Sequence, residues 1–307
     1  MAAAQPIMRL VRDDDPPRPE LTVSQEDPVE QIDSMRKEID LLNLELSQLR
    51  RRGDMLDYHM SRLDEELRLA ARLQQDFLPK TLPKLGPIEF QTLFRPAGHV
   101  SGDFYDVIRL DESHIGFYIA DAVGHGVPAA LLTMFIKHAL VTKQITDGGY
   151  RLLGAAETLT RLNSTLIDQD LSAATFATAI YGTIDTRSLK ITFSRGGHPH
   201  PILLRGDGTI EHLECDGGLL GVFPEETFAE KSFQLMPGDR LLLYTDGIEV
   251  AFGEDIEANQ ARWFEELYKM RKLPARELLT NFAQVLDAQP EARRKDDLTM
   301  VVMEVRE

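Results

Sequence analysis

The sequence predicts a layered α+β domain preceded by one long coiled-coil helix. Short β-type runs bounded by turn residues dominate from about residue 80 onward. Between them the longer helical patterns fall in pairs after strand runs, which suggests antiparallel sheets with helices on their outer faces rather than strict βαβ alternation. Upstream, apolar residues recur in alternating steps of three and four over many turns.

Taken in order, residues 1–28 contain Asp13-Asp14-Asp15-Pro16-Pro17-Arg18-Pro19, where charge and proline leave little apolar surface to bury, and they are expected to form a disordered tail. Residues 29–79 carry the heptad Ile32, Met35, Ile39, Leu42, Leu46, Leu49, Gly53, Leu56, Met60, Leu63, Leu67, Ala70 and Phe77, interrupted only by Gln74. Isoleucine at a with leucine at d favours a parallel two-stranded coil, so a homodimer through 29–79 is expected; the competing reading is an amphipathic helix packed on its own domain. At ~1.5 Å per residue the helix is on the order of 70 Å long. Gly53 occupies an a position beside Arg50-Arg51-Arg52, costs ~1 kcal/mol of helix propensity relative to alanine, and marks a weak point or hinge. Pro79, Pro83 and Pro87 close the segment, because proline removes a helical hydrogen bond and clashes with the preceding turn.

A second domain spans 80–307. Its strands are expected at Ile88–Arg95, Ile115–Asp121, Ala174–Asp185, Lys190–Gly196, Pro201–Arg205, Arg240–Thr245 and Leu298–Val305, with helices at about 127–145, 151–169, 258–272 and 275–288.

With 34 basic against 50 acidic residues and a net charge of -16, the chain repels nucleic acid and anionic lipid. No apolar run approaches the ~20 residues of a membrane span, and the N-terminus lacks a basic-then-apolar signal, so a cytoplasmic protein is expected. The single cysteine, Cys215, excludes an intramolecular disulfide framework and a cysteine-rich zinc site. It is followed by Asp-Gly-Gly-Leu-Leu rather than a phosphate-cradling loop ending in arginine, and reads as a buried structural thiol.

Acids mark four strand junctions. Asp103 stands beside Gly102, where the backbone can turn sharply. Asp121 ends the apolar run Ile115–Ala120 and precedes Gly124-His125-Gly126, with Pro128 near the first turn of the next helix. Asp246-Gly247 ends the run Leu241–Thr245, and Asp296-Asp297 precedes the last strand. Each Asp-Gly alone is a routine turn. Together they suit a hard divalent cation, which prefers oxygen ligands and leaves positions for water.

The ordered series Leu73-Gln74-Gln75-Asp76-Phe77-Leu78-Pro79, Arg95-Pro96-Ala97, Ser101-Gly102-Asp103-Phe104-Tyr105-Asp106, Ile119-Ala120-Asp121 with Gly124-His125-Gly126, Gly196-Gly197-His198, Tyr244-Thr245-Asp246-Gly247 and Asp296-Asp297-Leu298-Thr299 resembles the PPM-type phosphatase domain of the bacterial SpoIIE and RsbU family, over about residues 70–306. The resemblance implies an αββα sandwich with a two-metal site at one end. It implies that Asp103, Asp121, Asp246 and Asp296 hold two Mn2+ or Mg2+ ions, with the backbone carbonyl of Ala122 as a further ligand. The loop Asp121-Ala122-Val123-Gly124-His125-Gly126 departs from the family at Val123, where a small polar residue is usual; a carbonyl ligand does not depend on that side chain. In Asp296-Asp297 the family register favours the first as ligand, with the second left open.

Such a site hydrolyses a phosphomonoester by metal-activated water, so no nucleophilic side chain is required. His125 either protonates the leaving oxygen or is a loop residue. His198 and His200 read as structural, and Arg95 offers a guanidinium fork for a substrate phosphate. By resemblance the substrate is a phosphoserine or phosphothreonine on an anti-anti-sigma factor of the STAS type. The family's catalytic domain is commonly governed by an N-terminal sensor or receiver domain; here a tail and a coil stand upstream, so dimerisation is expected to set activity and a separate activator protein to act on the coil. The alternatives are a catalytically silent phosphoprotein-binding scaffold and a coiled-coil adaptor.

Overall fold

The computed structural model describes residues 28–170, 175–252, 256–288 and 296–306. The tail expected over 1–28 therefore lies outside the described residues apart from Pro28. The chain divides between Arg62 and Leu63 into two units. Helix α1 (Pro28–Phe77) runs through fifty residues, about 75 Å at ~1.5 Å per residue. Within the first unit the heptad residues Ile32, Met35, Ile39 and Leu42 are each more than half exposed, an apolar stripe uncovered in the single chain. Within the second unit the same stripe changes character: Leu67 and Ala70 are half-buried, and Gln74, at an a position, is buried.

After α1 the elements are β1 (Ile88–Arg95), β2 (Asp103–Arg109), β3 (His114–Ala122), α2 (Val127–Ala139), β4 (Lys143–Thr146), β5 (Gly149–Leu152), α3 (Ala155–Asp168), β6 (Ala177–Asp185), β7 (Lys190–Gly196), β8 (Ile202–Leu204), β9 (Ile210–His212), β10 (Glu230–Gln234), β11 (Arg240–Tyr244), α4 (Gly247–Val250), α5 (Ile256–Met270), α6 (Ala275–Asp287) and β12 (Leu298–Val305). The described strands form two five-stranded sheets, β1-β12-β11-β8-β9 and β10-β7-β6-β3-β2, and a separate β4-β5 hairpin. Every pairing among them is antiparallel.

The two-residue period of a strand explains the layering, because alternate side chains must find cover on opposite faces. In β12, Val301, Met303 and Val305 enter the core between the sheets, while Leu298, Met300 and Val302 face the cluster that holds Trp263 and Phe282 of α5 and α6. In β3, Ile115, Phe117 and Ile119 enter the same central core, and Tyr118, Ala120 and Ala122 pack with Leu132, Ile136 and Leu159 of α2 and α3. Strands covered on both faces lose the apolar-polar alternation and read as unbroken apolar runs. The result is the αββα sandwich.

Several expected elements differ. The helix expected over 151–169 begins at Ala155, because Gly149–Leu152 form β5. The helix expected over 127–145 stops at Ala139, where Leu140 turns extended, and the β-branched Val141, Thr142, Ile145 and Thr146 lead into the hairpin. Asp103, expected at a junction, is the first residue of β2. The expected strand start at Ala174 lies outside the described residues; β6 begins at Ala177.

Candidate metal and active site

Strand pairing brings the first two acids together. Asp103 opens β2 and faces Asp121 across the β2–β3 ladder. Gly102 makes the approach possible: a Cβ there would stand 3.1 Å from the carbonyl oxygens of Ala122 and Gly124. The Ala122 amide donates to the Gly102 carbonyl at 3.0 Å, which locks the loop after β3 to the residue before Asp103.

The second sheet supplies the other two. Asp246 stands two residues after β11, and Asp296 precedes β12. The backbone between them closes tightly, since a Cβ on Gly247 would fall 1.9 Å from the carbonyl oxygen of Asp297, a spacing only glycine permits. Two threonines tie this sheet to the first acid. Thr245 and Thr299 each donate a hydroxyl to Asp103 Oδ2 at 2.7 Å, and the Thr299 amide donates back to the Thr245 hydroxyl at 3.0 Å. One carboxylate oxygen of a fully buried aspartate is thereby committed.

The carboxyls also influence one another electrostatically. Burial, followed by the neighbouring carboxylates, pushes Asp103 and Asp121 well above the usual carboxylate range, with Asp103, Asp246 and Asp296 all acting on Asp121. Asp246 and Asp296 reach solvent at the rim, yet the surrounding protein raises both carboxyls as well. Among the described residues, no three His, Cys, Asp or Glu side chains close around a point at ligand distance. The four carboxylates nonetheless offer only oxygen and repel one another, an environment that a hard divalent cation would relieve.

Asp296 and Asp297 have different surroundings. Asp297 is buried and accepts the amides of Ala97 at 2.7 Å and Gly102 at 2.6 Å. Both its oxygens are spent on the β1–β2 loop. Asp296 is exposed and, among the described residues, accepts the Asp297 amide at 2.9 Å. A second brace on the loop comes from α1: Gln74 donates to the Ser101 carbonyl at 2.6 Å and accepts the Ser101 amide at 2.9 Å. His99 of the same loop lies 3.1 Å from Asp64.

The remaining candidates separate cleanly. His125 is exposed, and near enough to Asp296 to lower its pKa. His198 is fully buried, its Nδ1 lies 2.7 Å from the Thr178 hydroxyl, and burial holds its pKa down at about 3. Cys215 is buried, its thiol pushed up by desolvation. Arg95 does not present a free fork: its two Nη atoms donate to Asp287 at 2.5 and 3.0 Å. Sequence reasoning passed over Gln74, Thr245 and Thr299 as functional residues. Gln74 had a signal, because it alone breaks the heptad.

Two antiparallel sheets between helical layers, with acids gathered at the strand ends of both, define the PP2C class of phosphatase domain fold. The structure aligns with the SiaA-PP2C domain of Pseudomonas aeruginosa at a TM-score of 0.65 and 24% identity, covering 80% of this chain and 98% of that one. Residues 111–306 match the Stage II sporulation protein E (SpoIIE) family, and the chain belongs to that family. Among curated relatives, the phosphoserine phosphatase RsbP of Bacillus subtilis is 33% identical over 184 residues, 60% of this chain and 45% of RsbP. The phosphoserine phosphatase RsbU of the same organism is 26% identical over 249 residues, 78% of this chain and 70% of RsbU. The chain thus spans less than half the length of RsbP.

Proposed function

We propose that the chain is a metal-dependent protein serine/threonine phosphatase acting on a phosphorylated regulatory protein, a STAS-type anti-anti-sigma factor. The observation that carries this reading is the gathering of Asp103, Asp121, Asp246 and Asp296 from two sheets, with Asp103 oriented by Thr245 and Thr299. These four carboxylates and the Ala122 carbonyl would hold two Mn2+ or Mg2+ ions. When bound, such ions supply Lewis-acid activation of water and neutralise phosphoryl charge.

The chain's own residues do the rest. Thr245 and Thr299 occupy Asp103 Oδ2 and leave Oδ1 for a ligand role. Asp297 and Gln74 hold the β1–β2 loop and so fix where Asp103 begins. His125, beside Asp296, is placed to hold a proton for the departing serine oxygen. A covalent route through Cys215 is disfavoured by its burial in apolar surroundings and its raised pKa.

The exposed a and d residues of α1 support a homodimer through 29–79, and the same coil offers a surface for an activator protein. No described helix is long and apolar enough to cross a membrane; the reading places the protein in the cytoplasm. The test is phosphate release from phosphoserine proteins with Mn2+, Mg2+ or chelator, comparing the wild type with Asp121→Asn and Asp246→Asn. Metal-dependent turnover lost in both variants supports the phosphatase. A folded dimer inert with every metal and substrate would point to a phosphoprotein-binding scaffold.

A further inference from the structure

Beside the acid cluster, the end of β1, the short α4, the end of α6 and the start of β12 enclose a cavity of about 330 Å3. Phe94, Ala251, Leu286 and Leu298 give it apolar walls, and Gly247 and Asp296 form the side it shares with the acids. Among the described residues its charged side chains are Arg95, Asp287 and Asp296. The Arg95 guanidinium is spent on Asp287 in a two-point pair, and Asp296 belongs to the proposed cation site. Arg95 and Asp287 neutralise each other and Asp296 faces the cation site, so what these residues offer an entering group inside the cavity is mainly the apolar wall. The interior suits an uncharged apolar group of one large side chain, since the volume lies at the low end of the ~300–1,000 Å3 typical of ligand pockets.

We propose that this cavity is a specificity subsite, receiving a leucine- or phenylalanine-sized side chain of the substrate protein next to its phosphorylated residue. The proposal rests on the phosphatase reading, because only that reading puts a phosphoserine at the shared wall. A binding site built this way discriminates by apolar burial, while the acid cluster handles the phosphate common to all substrates. Filling the cavity with leucine rather than glycine should tighten binding roughly 10- to 100-fold.

The experiment uses the full chain with Mg2+ and a set of fluorescent seven-residue peptides carrying a non-hydrolysable phosphonate analogue of phosphoserine. Each flanking position is occupied in turn by glycine, leucine, phenylalanine, lysine or aspartate, and binding is read by anisotropy. At one flanking position leucine or phenylalanine should bind at least tenfold tighter than glycine, lysine or aspartate. Ala97→Trp, at an exposed rim residue that keeps its backbone amide for Asp297, should reduce that preference to within twofold. Phe94→Ala, which widens the wall, should raise binding of phenylalanine relative to leucine at that position. Equal binding of all peptides, or a preference untouched by both substitutions, overturns the subsite. Turnover of p-nitrophenyl phosphate by the same wild-type preparation is scored separately: its absence counts against the phosphatase, while turnover without any peptide preference counts against the subsite alone.

Discussion

The Thr299 hydroxyl donates to Asp103 Oδ2 at 2.7 Å across 196 sequence positions, and in doing so joins the two sheets at the acid cluster. The Thr245 hydroxyl reaches the same oxygen from the neighbouring strand. These bonds favour the ionised form and offset part of the rise that burial imposes on this carboxyl. Replacing both threonines by valine preserves shape but removes both donors. The double variant should raise the Asp103 pKa further, weaken Mn2+ binding by about 10- to 100-fold, as loss of groups that orient ligands typically does, and leave the fold intact. Isothermal titration with Mn2+ beside far-UV circular dichroism measures both.

Asp296 and Asp297 should fail in different ways. Asp296→Asn removes a charge from the rim and should cut metal affinity while barely moving the melting temperature. Asp297→Ala strands the buried amide of Gly102 together with that of Ala97, a loss of about 1–3 kcal/mol for an unsatisfied buried group. Urea unfolding of metal-free protein separates the two, and the reverse ranking would assign the ligand to Asp297.

Gln74→Leu completes the heptad and should strengthen association through α1, yet it unpairs both backbone groups of Ser101. The expected outcome is a tighter dimer with phosphatase activity lowered at least tenfold. Analytical ultracentrifugation and phosphate release on one preparation test the pairing; a tighter dimer with full activity would show that the Ser101 brace is dispensable.

The metal-free protein should lose stability as pH rises. Asp103 and Asp121 have folded pKa values above the unfolded carboxylate value near 4, so the folded state binds more protons, and the slope of unfolding free energy with pH is negative between the unfolded and folded values. That penalty is absent below the unfolded pKa and complete above the folded one. Melting temperature in chelator should therefore fall between pH 5 and 8 from this contribution, while the gain on adding Mg2+ should grow over the same interval. Cation binding should also release protons, which calorimetry in buffers of different ionisation enthalpy would detect.

Much of this was legible in the residues. β1, β7 and β12 begin and end where their apolar runs meet turn residues, and their spans agree with expectation. The αββα layering follows from strands buried on both faces and from helices with a single apolar face. β2 was harder, because Asp103 and Asp106 place two acids on a buried strand, where the first bonds the threonines and the second pairs with Lys137 at 2.5 Å. The hairpin β4–β5 was hidden by a three-and-four spacing that continues past Ala139, and local β-branching decided against it. The distinct surroundings of Asp296 and Asp297 depend on a loop some 200 positions away, and neighbouring identical residues carry no local sign of which one that loop engages.

Strand β12 lies between β1 and β11, so the first strand of its sheet has no partner until the last has been made. Its fellow sheet is drawn from the continuous stretch between Asp103 and Gln234 and needs no such wait. On a ribosome the two layers would then mature at different times, the β1-containing one held open by the closure of a long loop. Because Thr299 and Asp296 arrive with that strand, the proposed metal site would be complete only in one late step, once β12 has been made, rather than by degrees.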